Sequence, residues 1–243
     1  MGLHLEREDY LFGGYLVTQR VARPELMSAE LLPARLLTAS SCLAPFVPDV
    51  WALDWTLVTR EERERTAGAL GIAPGAVPAL IEHTTRAFHE GQLGWPNIVK
   101  SSEALVRLMR LLPTTSAWVA VGLGLHRKHL GEFLEGNAPA ENHGAGGVYE
   151  MILAESALPP GGAILGYEPL GFEYGGEPHS WLCNGLEKVC SRALGIRPGP
   201  SGLLETEDEA ERAVAHISRD DVGAEPVRWL PWMLVDSTSE AKA

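Results

Sequence analysis

The sequence predicts a single-domain α+β fold: a largely helical amino-terminal half packed on a mixed or antiparallel sheet that the carboxyl-terminal half completes. Three observations predict it. Capped segments with apolar residues at helical spacing crowd the first half, notably behind Thr59 and between Ser102 and Leu112. After Pro113 the texture changes to short apolar runs such as AWVAVGLGL, AILGYEPLGF and VRWLPWMLV. No Ser-rich or Pro-rich linker divides the halves, so residues 1–236 read as one domain and 237–243 as a frayed tail.

Tyr10 to Val21 reads as a strand broken at Gly13-Gly14, or as two short strands around a turn. In PELMSAELLPARLLTASSCLA, Leu26, Leu31, Leu32, Leu36 and Leu37 follow helical spacing. Pro24 suits a first helical position there, and Pro33 marks a kink or a join between two helices. Cys42 ends this apolar face and is expected in the core, and Trp51 to Val58 reads as a buried strand. Thr59 and Glu62 match a capping box for a helix that stops at Gly71. Further helices are expected over Val77 to Gln92 and Ser102 to Leu112.

In the second half, Ala117 to Leu125 reads as a strand, KHLGEFLEG as a short helix, APAENHGAGG as a loop and VYEMILAES as a helix. AILGYEPLGFEYGG is one strand or a hairpin interrupted at Pro169. Helices follow over Ser180 to Leu194 and, behind a Thr206 and Glu209 capping box, over Glu207 to Ile217. VRWLPWMLV closes the fold as a strand that Pro231 assigns to a sheet edge. ALGIAPG and ALGIRPG resemble each other because two helices stop in the same way: a left-handed Gly, an Ile packing back on the last turn, a Pro preventing continuation.

Composition narrows the function classes. With 20 Lys and Arg against 32 Asp and Glu, the net charge of −12 disfavours a sequence-independent grip on nucleic acid, which comes from basic residues neutralising phosphates. No apolar run approaches the roughly 20 residues that span a bilayer, and charge occupies the first ten positions where a signal peptide needs an apolar core. Cys42, Cys183 and Cys190 are an odd set without a CxxC pair, as expected of reduced thiols in a cytoplasm.

The densest candidate for chemistry is HSWLCNGLEKVC, His179 to Cys190. On a helix starting after Ser180, Leu182, Cys183, Leu186, Val189 and Cys190 fall on one side and Glu187, Lys188 and Arg192 on the other, so both thiols are expected to point inward as packing. The functional alternative places Cys183 at the positive end of the helix, within reach of His179, as a nucleophile. Just upstream, Glu168 and Glu173 are candidate acid-base partners for His179. The same stretch, with Glu177 and Trp181 and with Trp229 and Trp232 of WLPW, also fits an acidic, aromatic edge for a protein partner. GWPN, with Trp95, is a second place where a proline keeps an indole in irregular backbone.

HRKH spaces His126 and His129 three apart, and with His143 and either Glu132 or Glu141 they would make a metal set; an exposed helix start is the stronger reading. NHGAGGVYE fits neither Walker A nor GxGxxG and reads as a connection. GxSxG and HExxH are absent, and no motif requires a cofactor or a metal. Two readings follow. The first is an acidic cytoplasmic protein-binding protein, an inhibitor or immunity-type partner of a basic protein. The second is a small-molecule enzyme that runs acid-base chemistry through Glu168, Glu173 and His179, with Cys183 as its thiol.

Overall fold

The computed structural model describes residues 7–44, 46, 59–96, 98–113, 118–137, 146–173, 176–183 and 185–239. Its strands are β1 (Tyr10–Gln19), β2 (Val21–Ala22), β3 (Arg35–Leu36), β4 (Leu93–Gly94), β5 (Ile98–Val99), β6 (Trp118–His126), β7 (Ala163–Phe172), β8 (Pro178–Ser180) and β9 (Leu230–Asp236). Its α-helices are α1 (Arg60–Ala69), α2 (Val77–His89), α3 (Ser102–Leu111), α4 (Leu130–Gly136), α5 (Gly146–Leu153), α6 (Leu186–Leu194) and α7 (Glu207–Ile217). Seven strands pair in the order β4-β5-β1-β6-β9-β7-β8, each antiparallel to its neighbours, while β2 and β3 form a separate ladder. The α+β class is as expected, and of the two sheet types expected the antiparallel one is present.

Side chains alternate across the strands and feed two cores. Tyr10, Phe12, Tyr15, Val17, Met233 and Val235 pack with Ala67, Leu80, Leu105, Cys190, Ala213 and Ile217 from helices α1, α2, α3, α6 and α7. Leu11, Leu16, Leu123, Leu125, Trp232 and Leu234 pack with Phe133 of α4, Val148 and Ile152 of α5, and Leu37 and Phe46. The sheet is therefore covered on both faces, and its strands read as continuous apolar runs for that reason.

Local signals explain the helix ends. Both expected capping boxes form, Thr59 with Glu62 and Thr206 with Glu209. Gly71 and Gly195, at φ +74° and +71°, take the left-handed conformation that stops α1 and α6. The Gly13-Gly14 pair bends β1 without splitting it. The register with β6 shifts between Phe12 and Tyr15, Gly14 sits at φ +96°, and a Cβ on Gly14 would collide with Ile98 of β5.

Four expectations are corrected. Residues 24–44 form turns and the short β3 in place of helices. Pro24 and Pro33 bracket two isolated hydrogen-bonded turns, Met27 N to Pro24 O and Leu32 N to Ser28 O, and the chain is instead held by β2 and by Leu37 N donating to Ser201 O at 2.9 Å. Leu32, Leu36 and Leu37 are buried all the same, whereas Leu26 is 92% exposed. The segment 181–183 is a turn, and α6 starts only after Gly185, so Cys183 is not a helix residue and Glu187 is buried on the inner side.

β9 is interior, between β6 and β7, despite Pro231. Pro231 lies opposite Pro169, whose carbonyl accepts from Trp181 N at 3.1 Å toward β8, so neither proline is asked to donate across the β7–β9 ladder. Finally, Ser237 is not frayed, since its N donates to Ala120 O at 2.8 Å, and Thr238 Oγ1 accepts from Ala120 N at 3.1 Å. The strand expected over Trp51 to Val58, most of the loop APAENHGAGG, and His143 and Glu141 with it, lie outside the described residues.

Candidate functional site

The site forms where β8 borders the turn 40–44. Ser41 N donates to Pro178 O at 3.3 Å, and Leu43 N and Ala44 N turn back on Ser40 O, presenting Cys42 to the edge strand. Beneath this lies Glu168 of β7, fully buried. Its carboxylate accepts from Thr38 Oγ1 at 2.6 Å, Ala39 N at 2.8 Å and Ser180 Oγ at 2.6 Å. Burial pushes the Glu168 carboxyl above its ordinary range against the pull of these donors. A carboxyl with its oxygens committed to framework groups is unsuited to proton transfer with a substrate. Glu168 therefore locks the turn to β7 and β8, an arrangement that speaks against the acid-base role expected of it.

His179 stands next to Ser180, buried, with a carboxylate at each ring nitrogen: Glu173 Oε1 is 2.8 Å from Nε2 and Glu225 Oε2 is 2.7 Å from Nδ1. Glu173 follows the end of β7, and its N donates to Glu177 O at 3.0 Å in the β7–β8 hairpin. Glu225 lies between α7 and β9 and is fixed by its carbonyl, which accepts from Trp229 Nε1 at 3.2 Å. Cys42 Sγ also approaches His179 Nε2, at 3.5 Å, and Cys183 Sγ lies 3.0 Å from Ser40 Oγ. The ligand atoms of Cys42, His179 and Cys183 all fall within 4.8 Å of one another, as do those of Glu173, His179 and Glu225.

The thiols differ in setting. Cys42 is exposed, not in the core as expected, and partial desolvation, then Glu173, raise its pKa. Cys183 is half-buried, and desolvation pushes its thiol up to about 12 although Ser40 and the Ser180 backbone oppose this. A thiol so placed is a poor free nucleophile, which argues against the Cys183 variant of the enzyme reading. Cys190 is buried packing in α6, as the sequence indicates, with burial lifting its pKa to about 11.

The expected partner edge fares differently. Trp181, Trp229 and Trp232 are at most 1% exposed, so none of these indoles can anchor a partner on the surface. Glu177 is exposed beside the site, and Trp95 is the tryptophan that does reach solvent among those described, at 46%. Glu225 also lines an open cavity of ≈ 480 Å³ with Arg219, Asp220, Val227, Arg228 and Trp229.

Among the described residues, His126 and His129 share no cluster with a third metal-ligating side chain. His126 ends β6 and caps Lys128 N, while His129 faces Glu211 at 3.5 Å. His129, Glu207 and Glu211 do cluster, but the Lys128 ammonium pairs with both carboxylates, 2.9 Å from Glu207, and supplies the positive charge there.

Sequence reasoning named Glu173, His179 and Cys183, which the structure brings close together, but not Cys42 as a site residue or Glu225, which lie beside them. The adjacent SSC triplet was a signal for Cys42, hidden by the helical reading of its segment. Glu225 sits in a loop remote from His179 in sequence, where no local pattern marks it. Comparison with protein-family models, curated proteins and solved structures finds no match, so the geometry alone carries the functional argument.

Proposed function

We propose that the chain is an enzyme that performs general acid-base chemistry on a small polar molecule at the His179 site. The observation that carries this is the imidazole flanked on both nitrogens, at 2.7 and 2.8 Å, by carboxylates from two different loops. Two carboxylates this close to one ring concentrate negative charge at the site, which a cation bound beside the ring would offset. Concentrating these groups next to exposed Cys42 and a Glu173 side chain that is 42% exposed makes a solvent-accessible reactive locus.

In this reading Glu173 is the proton-transfer group, taking a proton from a bound water or substrate hydroxyl and returning it to the leaving atom. Glu225 is a positioning residue that orients the ring through Nδ1, and Glu168 fixes the turn and edge strand that carry Cys42 and His179. The reduced thiols suit a cytoplasmic setting, and the net charge of −12 argues against nucleic acid as substrate. No helix among the described residues is long and apolar enough to cross a membrane. The acidic charge also favours a basic protein partner, but with three indoles buried that reading ranks second.

The test is incubation of the protein with a polar metabolite extract, followed by NMR, beside Glu173→Gln. Wild type is expected to consume at least one compound at a rate that falls about 10²- to 10⁴-fold in the variant. Indistinguishable spectra from wild type, variant and buffer would remove the enzyme reading.

A further inference from the structure

We propose that Cys42 Sγ, Cys183 Sγ and His179 Nε2 form a three-ligand site for a thiophilic divalent cation of the zinc class, with an open fourth position beside Glu173. The proposal rests on the acid-base reading above and deepens it, because the cation supplies the electrophile that the carboxylates and imidazole alone lack.

The distances agree with such a centre. Zinc bonds of about 2.3 Å to sulfur and about 2.05 Å to nitrogen at tetrahedral angles set the sulfur and nitrogen atoms about 3.6 Å apart. Cys42 Sγ and His179 Nε2 lie 3.5 Å apart, and all three ligand atoms fall within a 4.8 Å cluster. The ligands come from separate segments, the turn 40–44, strand β8 and the turn 181–183, and Glu168 ties these segments together through Thr38, Ala39 and Ser180. The site is thus built by the framework and is not a chance meeting of surface side chains.

The surroundings agree as well. A metal-bound histidine commonly presents its second nitrogen to a carboxylate, which fixes the tautomer, and Glu225 Oε2 stands 2.7 Å from Nδ1. Ser40 Oγ lies 3.0 Å from Cys183 Sγ, placed to donate to a thiolate. Two sulfurs with an imidazole nitrogen select zinc-class ions over magnesium or calcium, which take oxygen. Glu173 Oε1 lies 2.8 Å from the same Nε2, so a cation on that nitrogen displaces this carboxylate, which then stands at the fourth position to serve as a base. A cation-bound water would give its proton to the Glu173 carboxylate, the hydroxide would add to an electrophilic carbon of the substrate, and Glu173 would return the proton to the leaving group.

The experiment is metal titration of the reduced, EDTA-stripped full chain with zinc and, separately, with cobalt, whose thiolate charge-transfer absorption reports sulfur ligation. One equivalent of zinc and a cobalt-thiolate band are expected. Both should be lost in Cys42→Ser and Cys183→Ser and retained in Cys190→Ser. His179→Ala should weaken binding at least tenfold, and Glu225→Ala about 10- to 100-fold. Binding by Cys42→Ser as tight as by wild type, or no cobalt uptake by wild type with all thiols free, would overturn the proposal. Glu173→Gln separates the two readings. Metal uptake with turnover indifferent to Glu173 removes the acid-base reading and keeps the site; Glu173-dependent turnover without metal uptake does the reverse.

Discussion

Ser180 Oγ donates to Glu168 Oε1 at 2.6 Å, and this bond inside the sheet decides where the preceding residue, His179, can stand. Ser180 Oγ also accepts from Leu182 N at 3.1 Å, and Glu168 holds Thr38 and Ala39 on the other side. One buried carboxyl therefore sets the spacing between the turn bearing Cys42, the strand bearing His179 and the turn bearing Cys183.

Removing that carboxyl leaves two hydroxyls and one N–H buried without their acceptor. Glu168→Ala is expected to cost on the order of 3 kcal/mol or more of unfolding free energy, and Glu168→Gln about 1 kcal/mol, because the amide keeps an acceptor oxygen. Urea denaturation of the two variants beside wild type checks the order; equal stability of Glu168→Ala and wild type would remove Glu168 from its framework role.

Thiol accessibility gives a second expectation. In EDTA-stripped protein at neutral pH, iodoacetamide should label Cys42 first, Cys183 much more slowly and Cys190 only on unfolding, following their exposed, half-buried and buried positions. Peptide mass spectrometry over a time course reads the order directly. Labelling of Cys190 ahead of Cys42 in the native protein is incompatible with the packing of α6.

The indoles of WLPW are structural, and their loss should be felt in stability. Trp232 packs edge-on against Phe133 and Phe172, with ring centroids 5.6 and 5.5 Å away. Trp232→Ala is expected to destabilise the protein by about 3–5 kcal/mol. Substitution of exposed Glu177 by Ala should change stability by less than about 0.5 kcal/mol. Thermal unfolding compares them; a Trp232→Ala protein with wild-type stability would place that ring at the surface.

The sequence made legible what local chemistry encodes. Thr59 with Glu62, Thr206 with Glu209, Gly71 and Gly195 marked helix ends through bonds or φ values made within a turn of themselves. Glu173 and His179 were legible as a pair because one short hairpin carries both. What failed depended on distant partners. Leu32, Leu36 and Leu37 are buried as their spacing demands, yet β2, Ser201 and Glu168 hold that segment extended, and helical periodicity cannot report those contacts. Pro231 suggested an edge because its tolerance in β9 depends on facing Pro169, which lies far from it along the chain. Cys42 and Glu225 reach His179 for the same nonlocal reason.

Glu187 gives the last expectation, a stability that changes with pH in a defined direction. It lies on the inner side of α6, and burial, the largest influence, raises its carboxyl pKa against the backbone N–H groups around it, the Lys188 charge and the Ser28 backbone. Lys188 Nζ itself is engaged with Leu26 O at 3.0 Å, and the nearby thiol of Cys190 is held protonated by its own burial. Because the folded pKa of Glu187 lies above the unfolded value, the native state binds more protons across the interval between them. The protonated form favours folding at acid pH, and this contribution is lost as pH rises through the folded pKa. Glu187→Gln mimics the protonated form at every pH. The variant should therefore match wild type in mild acid and become the more stable of the two toward neutral and alkaline pH. Urea midpoints measured between pH 4 and 9 test this, and a variant that loses ground to wild type as pH rises would mean that the carboxylate is stabilised where it sits.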